Sequence, residues 1–351
     1  MSGCIEIAGR KIGLGQPAYV IAELSANHGQ DLARAVEIVH AAKAAGADAI
    51  KLQTYTPDTI TLDCANEHFR IGKGTIWEGR VLHELYAEAF TPWEWQPKLQ
   101  AIAQELGLAC FSSPFDFTAV EFLESMQVPA YKIASFELVD LPLIRRVAAT
   151  GKPLIMSTGM ATLAEIDEAV RAAREAGAQK LALLKCTSGY PADPGEMNLR
   201  TIPHLASAFA VPVGLSDHTL GSAVPVAAVA LGACIVEKHL TISRAEPGPD
   251  SAFSLEPQEF QRMVADVRVA EQALGTVNYQ VSAREAASRC FRRSLFVVED
   301  VEAGGEFTEQ NVRSIRPGYG LHTRHLDEVL GQRAAQDIAR GTPMSFDLLA
   351  K

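Results

Sequence analysis

Several features are missing from this chain of 351 residues, and each absence narrows what it can be. None of its six cysteines (Cys4, Cys64, Cys110, Cys186, Cys234 and Cys290) forms a CxxC pair. Three of them, Cys110, Cys186 and Cys234, fall inside apolar runs, where a thiol behaves as a small apolar group. That pattern suits a reducing cytoplasm better than a disulfide framework. No apolar stretch is long enough to span a bilayer, and the opening MSGCIEIAGRKIG lacks the apolar centre of a signal peptide. A surplus of positive charge is absent too. The formal net charge of −10 argues against a nucleic-acid surface or an anionic membrane as partner. A small anionic substrate then requires a locally basic pocket. There is no low-complexity tract and no internal repeat beyond the alternation described next.

What is present is a series of short apolar runs, most of which end in a polar or charged residue. In order they are AYVIAELS to Ser25, AIKLQ to Gln53, LACFSS to Ser113, AYKIAS to Ser135, PLIMST to Thr158, LALLKCT to Thr187, PVGLSDH to His218 and CIVEKH to His239. Amphipathic segments rich in Ala, Leu and Glu separate them. About eight β-then-α units close a (β/α)₈ TIM barrel, an α/β fold that gathers strand C-termini on one face. Glu23, Lys51, Lys132, Ser135, Ser157, Ser216, Asp217, His218, Lys238 and His239 are then expected in one pocket.

The composition, 48% hydrophobic, is ample for that core and leaves a remainder for a second domain. CIEIAG and KIGLG read as a hairpin that plugs the bottom of the barrel. Asp31 and Thr162 are placed to cap helices, Thr162 with Glu165 as a capping box, and Pro92 to open one at its first position. The stretch between Gln53 and Thr91 is too long for an idle connection and is expected to form a lid or a substrate wall. The barrel domain is read as 1–275, a linker as 276–290, and a small β-rich domain with Gly-rich turns as 291–351. At that size the last domain is short for a core of its own.

Two histidines carry most of the chemical signal. His218 and His239 end adjacent strands, which lie about 4.8 Å apart, so both imidazoles can hold one ion. With two nitrogens and no thiolate, the ion keeps open positions, which suits Mn²⁺, Mg²⁺, Co²⁺ or Zn²⁺ as a Lewis acid. The bland alternative is two hydrogen-bonded core histidines. Lys51, Lys132, Lys185 and Lys238 need partners if they are buried. A phosphate or carboxylate ligand would serve, with hydroxyls from Ser113, Ser135, Ser157 and Ser216. So would internal pairing with Glu23, Glu137, Asp217 and Glu237. A lysine Schiff base, as in an aldolase, is a rival use. The acids Glu23, Glu137, Asp217 and Asp250 can position water or shuttle a proton, or orient a neighbour. Asn27, His28 and Tyr190 also fall on the loops of that face, and Arg293 and Arg316 are cations of the small domain.

The ordered motifs IAELSANHGQ, AIKLQTY, SSPFD, YKIASFE, MSTGMAT, CTSGYPA, GLSDHT, VEKHLT and GPDSAFSLEP resemble the sialic acid synthase family over nearly the whole chain. The C-terminal FRRSLFV and NVRSIRPGYG resemble its antifreeze-like (SAF) domain. Within the family, the insertion with GTIWEGRVLHELYAEAFTPWEW and the tail with Ser251 and Phe253 look most like the pseudaminic acid branch; N-acetylneuraminate and legionaminate branches are the alternatives. The resemblance implies condensation of phosphoenolpyruvate with an amino-sugar aldehyde. It implies a divalent metal, Mn²⁺ first and Mg²⁺ or Co²⁺ otherwise, on His218 and His239. It puts phosphoenolpyruvate on Lys51, Ser113 (Thr in family sites), Lys132, Ser135, Ser157 and Ser216. Glu137, Tyr190 and Asp250 would face the sugar, with Phe253 and Trp77 offering apolar contact. Glu23 would be the acid near the reacting carbons. Arg316 of the partner subunit would reach the sugar in a domain-swapped homodimer. A non-catalytic sugar-binding protein is the remaining alternative.

Overall fold

The computed structural model describes residues 3–246 and 248–351. It divides into two compact units, Met1–Gly275 and Thr276–Lys351. The first unit begins with the antiparallel hairpin of β1 (Ile5–Ile7) and β2 (Arg10–Ile12). Eight parallel strands follow: β3 (Tyr19–Glu23), β4 (Ala49–Thr54), β5 (Ala109–Pro114), β6 (Tyr131–Ile133), β7 (Leu154–Ser157), β8 (Leu181–Cys186), β9 (Val213–Asp217) and β10 (Ile235–His239). They close in sequence order, with β10 pairing β3. This is the (β/α)₈ barrel expected from the sequence. Ile5, Ile7 and Ile12 of the hairpin are buried and join the barrel core. Arg10 pairs with Asp48, which immediately precedes β4, so the hairpin sits at the N-terminal end of the strands.

Local signals explain the helix starts. The Asp31 side chain accepts from Ala33 N to cap Leu32–Ala44, and Thr162 with Glu165 forms the capping box of Leu163–Glu175. Pro92 acts differently from the expectation. It precedes a 3₁₀ turn, Trp93–Trp95, and the α-helix starts only at Gln96. The stretch 54–90 contains two short α-helices, Pro57–Ile60 and Leu82–Ala89, and a 3₁₀ turn at Glu67–Phe69. No helix among the described residues is long and apolar enough to cross a membrane.

The second unit starts with a short helix, Ala283–Ser288, within the stretch read as a linker. Strands β11 (Ser294–Val297) and β12 (Val312–Ile315) pair antiparallel. Contrary to the size argument, this unit does have a core of its own, in which Leu295, Val297, Phe307, Val312, Val329, Ile338 and Met344 are buried together.

Candidate active site

The C-terminal ends of β3, β4, β6, β9 and β10 bring charged and polar groups together inside the barrel. Strand side chains alternate between faces, and contacts fix which face is which. Lys132 on β6 reaches Glu237 on β10, with Nζ 3.3 Å from Oε1. These strands are not neighbours, so the contact crosses the barrel interior. Lys51 pairs with Glu23 and lies 3.5 Å from Glu237. Its Nζ donates to Ser113 Oγ at 3.3 Å, and Ser216 Oγ donates to Glu237 at 3.3 Å. Glu23, Lys51, Ser113, Lys132, Ser216 and Glu237 are all buried. Sequence reasoning used Glu237 only as an ion-pair partner. It is the hub of the cluster.

The alternation also corrects two expectations. Lys238 and Asp217 do not face the cavity. They pair with each other at 2.5 Å, both fully buried. Lys238 also donates to Thr219 O, while Asp217 accepts from Thr219 N at 3.0 Å. Each lies one residue from an inward-facing neighbour, and in a near-continuous apolar run nothing marks the phase. Lys185 is likewise engaged elsewhere, on Cys186 O and Thr187 Oγ1. Asn27 and His28 are tied into the framework: Asn27 donates to Leu240 O and Ser254 Oγ, and His28 contacts Thr91 Oγ1 and Gln30 N.

His218 and His239 do come together, with ring centroids 5.3 Å apart. His218 Nδ1 lies 3.0 Å from Thr187 O. A carbonyl only accepts, so Nδ1 carries a proton, and in the neutral ring Nε2 keeps its lone pair. Burial favours that neutral ring, but the contacts with Cys186 and Thr187 O outweigh it and raise His218 above the ordinary histidine range. His239 Nδ1 is buried with no hydrogen-bond partner among the described residues. Burial, and then the His218 ring and the nearby lysines, hold His239 well below the ordinary histidine range, in its neutral ligating form. Two imidazoles with free lone pairs fit a divalent ion. Among the described residues, no group of three or more His, Cys, Asp or Glu is arranged to hold one. Cys186 Sγ lies 4.0 Å from His218 Nδ1. Burial alone would raise this thiol; His218, with Ser135 and Lys132, together outweigh burial and bring the thiol down to about 7.

An aromatic wall stands beside the histidines. Tyr190 lies 4.6 Å from His218, and Phe253 lies 5.0 Å from both Tyr190 and His239, centroid to centroid. Trp77 comes from the long 54–90 stretch and packs 5.4 Å from Tyr190, with its Nε1 donating to Pro249 O at 3.0 Å. That stretch therefore does wall the mouth. Phe253 is 1% exposed, so it props the imidazoles, while the half-buried Trp77 and Tyr190 keep free surface.

The remaining expected residues fall as follows. Ser157 is buried with its Oγ unpartnered among the described residues, as is Oε2 of Glu137. Ser135 Oγ accepts from Gly159 N at 3.1 Å. A Cβ on Gly159 would lie 2.7 Å from that Oγ and 2.3 Å from Ser188 Oγ, so only glycine allows this approach. Asp250 accepts from Ser25 Oγ. Arg316 belongs to the second unit and is exposed.

Electrostatics divide the acids. Burial lifts Glu23 to about 7 against the pull of Lys51, and lifts Glu137 to about 7. Glu237 stays below the ordinary range because Lys132 and Lys51 outweigh its burial. Burial lowers Lys132, whereas for Lys51 the two carboxylates outweigh burial and raise it. One carboxyl poised near neutrality beside a fixed carboxylate is a division of labour between proton transfer and charge balance.

Comparison with known proteins finds relatives along nearly the whole chain. The NeuB family model matches residues 38–279, and the SAF domain model matches residues 292–350. A pseudaminic acid synthase of Helicobacter pylori is 44% identical over 95% of this chain and 98% of its own. One of Campylobacter jejuni is 47% identical over 92% of this chain and 94% of its own. The crystal structure of an N-acetylneuraminic acid synthetase from Leptospira borgpetersenii, in complex with citrate, superposes with a TM-score of 0.73 at 31% identity, covering 82% of this chain and 95% of that one. The motifs, the closed barrel and these matches agree: the chain belongs to the NeuB family.

Proposed function

We propose that this protein is a pseudaminic acid synthase. It condenses phosphoenolpyruvate with 2,4-diacetamido-2,4,6-trideoxy-L-altrose and water, giving pseudaminic acid and phosphate. The observation that carries this reading is the near-full-length similarity to two synthases of that name. The mouth itself supports it, with paired imidazoles beside a buried lysine–glutamate cluster and an aromatic wall.

Lys51 and Lys132 supply the charge for the phosphate and carboxylate of phosphoenolpyruvate, and Ser113, Ser135, Ser157 and Ser216 supply hydroxyls. The unpartnered Ser157 Oγ suits this role. His218 and His239 would hold a divalent ion, Mn²⁺ first and Mg²⁺ or Co²⁺ otherwise, which when bound supplies Lewis-acid polarisation of the sugar aldehyde. The methylene carbon of phosphoenolpyruvate attacks the aldehyde carbon, whose oxygen takes up a proton. The electron-poor carbon left beside the carboxylate is stabilised by the fixed charges around it. Water adds there, with Glu23, near 7, accepting its proton. The C–O bond to phosphate then breaks, and phosphate leaves with its bridging oxygen. Glu137, Tyr190 and Asp250 face the sugar, and Trp77 covers its 6-methyl end. Arg316 of the partner subunit completes the sugar site in a cytoplasmic, domain-swapped homodimer.

Phosphate release tests the assignment, with Mn²⁺, phosphoenolpyruvate and each of three sugars: the trideoxy-altrose derivative, N-acetylmannosamine, and the gluco/manno-type diacetamido isomer. Fastest release with the first is expected. Clear preference for either other sugar rejects the substrate, and no release with any rejects the reaction. In ¹⁸O water the phosphate should stay unlabelled, because the solvent oxygen enters at carbon.

A further inference from the structure

Just beyond β3, Ser25 has a backbone that serine rarely adopts, with φ of +48°. Left-handed backbone at a non-glycine residue is strained and persists where the surroundings require it. The surroundings here are specific. Ser25 N donates to Glu23 Oε1 at 2.9 Å. Ser25 Oγ donates to Asp250 Oδ2, on the loop that follows β10. Gln53 Nε2, on β4, lies 3.0 Å from Ser25 Oγ and 3.5 Å from Glu23 Oε1. Ser25 itself is 2% exposed.

Proton counting fixes the direction of this network. A hydroxyl has one proton, and with Asp250 ionised, although burial raises its carboxyl above the ordinary range, that proton goes to the carboxylate, which accepts. Ser25 Oγ must therefore accept from Gln53, so the Gln53 amide turns its NH₂, not its carbonyl, toward Glu23. Glu23 Oε1 then meets two donors, one from the backbone and one from the amide, while Lys51 engages the other oxygen.

We infer that Ser25 is a positioning residue: its turned-back peptide and its hydroxyl together aim the Glu23 carboxyl and register it to Asp250 through Gln53. The inference rests on the proposed role of Glu23 in water addition. Ser25 touches neither substrate nor reacting atoms in this account; it acts through Glu23.

The substitution Ser25→Gly separates this role from a structural one. Glycine accepts the same φ without strain, which offsets the two buried hydrogen bonds lost with the hydroxyl, so the thermal midpoint should change little. The hydroxyl is lost, the Gln53 amide is freed, and kcat should fall roughly tenfold. KM for phosphoenolpyruvate should stay within about twofold, since the lysines that bind it are untouched. Gln53→Leu should reproduce the same split. The double variant should be no slower than the worse single one, because both act on one carboxyl. A Ser25→Gly protein with unaltered kcat overturns the inference, as does a double variant with multiplied losses or a loss confined to KM. If the unaltered protein releases no phosphate with any of the three sugars, the proposed function fails first and this role with it.

Discussion

Lys132 and Glu237 face each other across the inside of the barrel, Nζ to Oε1 at 3.3 Å, and neither is exposed to any useful extent. Breaking such a pair strands one charge in a low-dielectric interior, whereas removing both is far less damaging. Glu237→Leu is expected to cost about 3–5 kcal/mol of stability. The double change Lys132→Met with Glu237→Leu should recover much of that. Urea denaturation of the three proteins checks it; a double variant as weak as the single would contradict the pairing.

Glu137 sets a pH dependence. Its carboxyl is raised to about 7 chiefly by burial, so between the ordinary value of 4.5 and about 7 the folded chain holds a proton that the unfolded chain has lost. The neutral form is fully compatible with folding below 4.5, and this contribution is lost as pH rises through about 7. Glu137→Gln keeps the side chain neutral at every pH. It should therefore stabilise the protein by roughly 1–3 kcal/mol at pH 8 and change little at pH 4.5. Equal effects at both pH values would show that the carboxyl is not desolvated.

The paired imidazoles predict metal-dependent stability. Mn²⁺ in excess should raise the thermal midpoint by the linkage between binding and folding, and EDTA should reverse it. His239→Ala should remove most of that response and at least a hundredfold of activity. An undiminished Mn²⁺ shift in both His218→Ala and His239→Ala would place the ion elsewhere.

Much of this architecture was legible in the chain itself. The apolar runs and their polar endings locate the strands because burial on both faces demands continuous hydrophobicity. For the same reason they hide phase. Nothing in GLSDH or CIVEKH tells that Asp217 and Lys238 turn outward while Ser216, His218, Glu237 and His239 turn inward. Glu237 escaped as a hub because its partners, Lys51 and Lys132, are distant in sequence and meet only through closure of the barrel. Trp77 was visible only as an aromatic in a long connection; its place against Tyr190 depends on how that connection folds back.

Trp77 should act on choice of sugar. A hydrophobic contact to one methyl discriminates by roughly 10–200-fold. Trp77→Ala should lower kcat/KM for the trideoxy sugar by about tenfold or more and leave KM for phosphoenolpyruvate nearly unchanged. Preference over N-acetylmannosamine should narrow accordingly. Equal losses on both sugars would make Trp77 a general wall without selectivity.

If Arg316 works across subunits, mixtures tell. A His218→Ala protein and an Arg316→Ala protein, each nearly inactive, should regain part of the activity after subunit exchange, because hybrids contain one intact site. No recovery despite verified exchange would remove Arg316 from the shared site.

The outward pair of Lys238 and Asp217 makes β10, the last strand of the barrel, intolerant of length change. A single-residue deletion before Glu237 would carry an ammonium into the chamber and bury an imidazole against the helical jacket, exchanging every tenant of that strand at once. Insertions and deletions in homologous chains should therefore concentrate in the connections and spare Ile235–His239, even though two of those five residues, Val236 and Lys238, point away from the chamber.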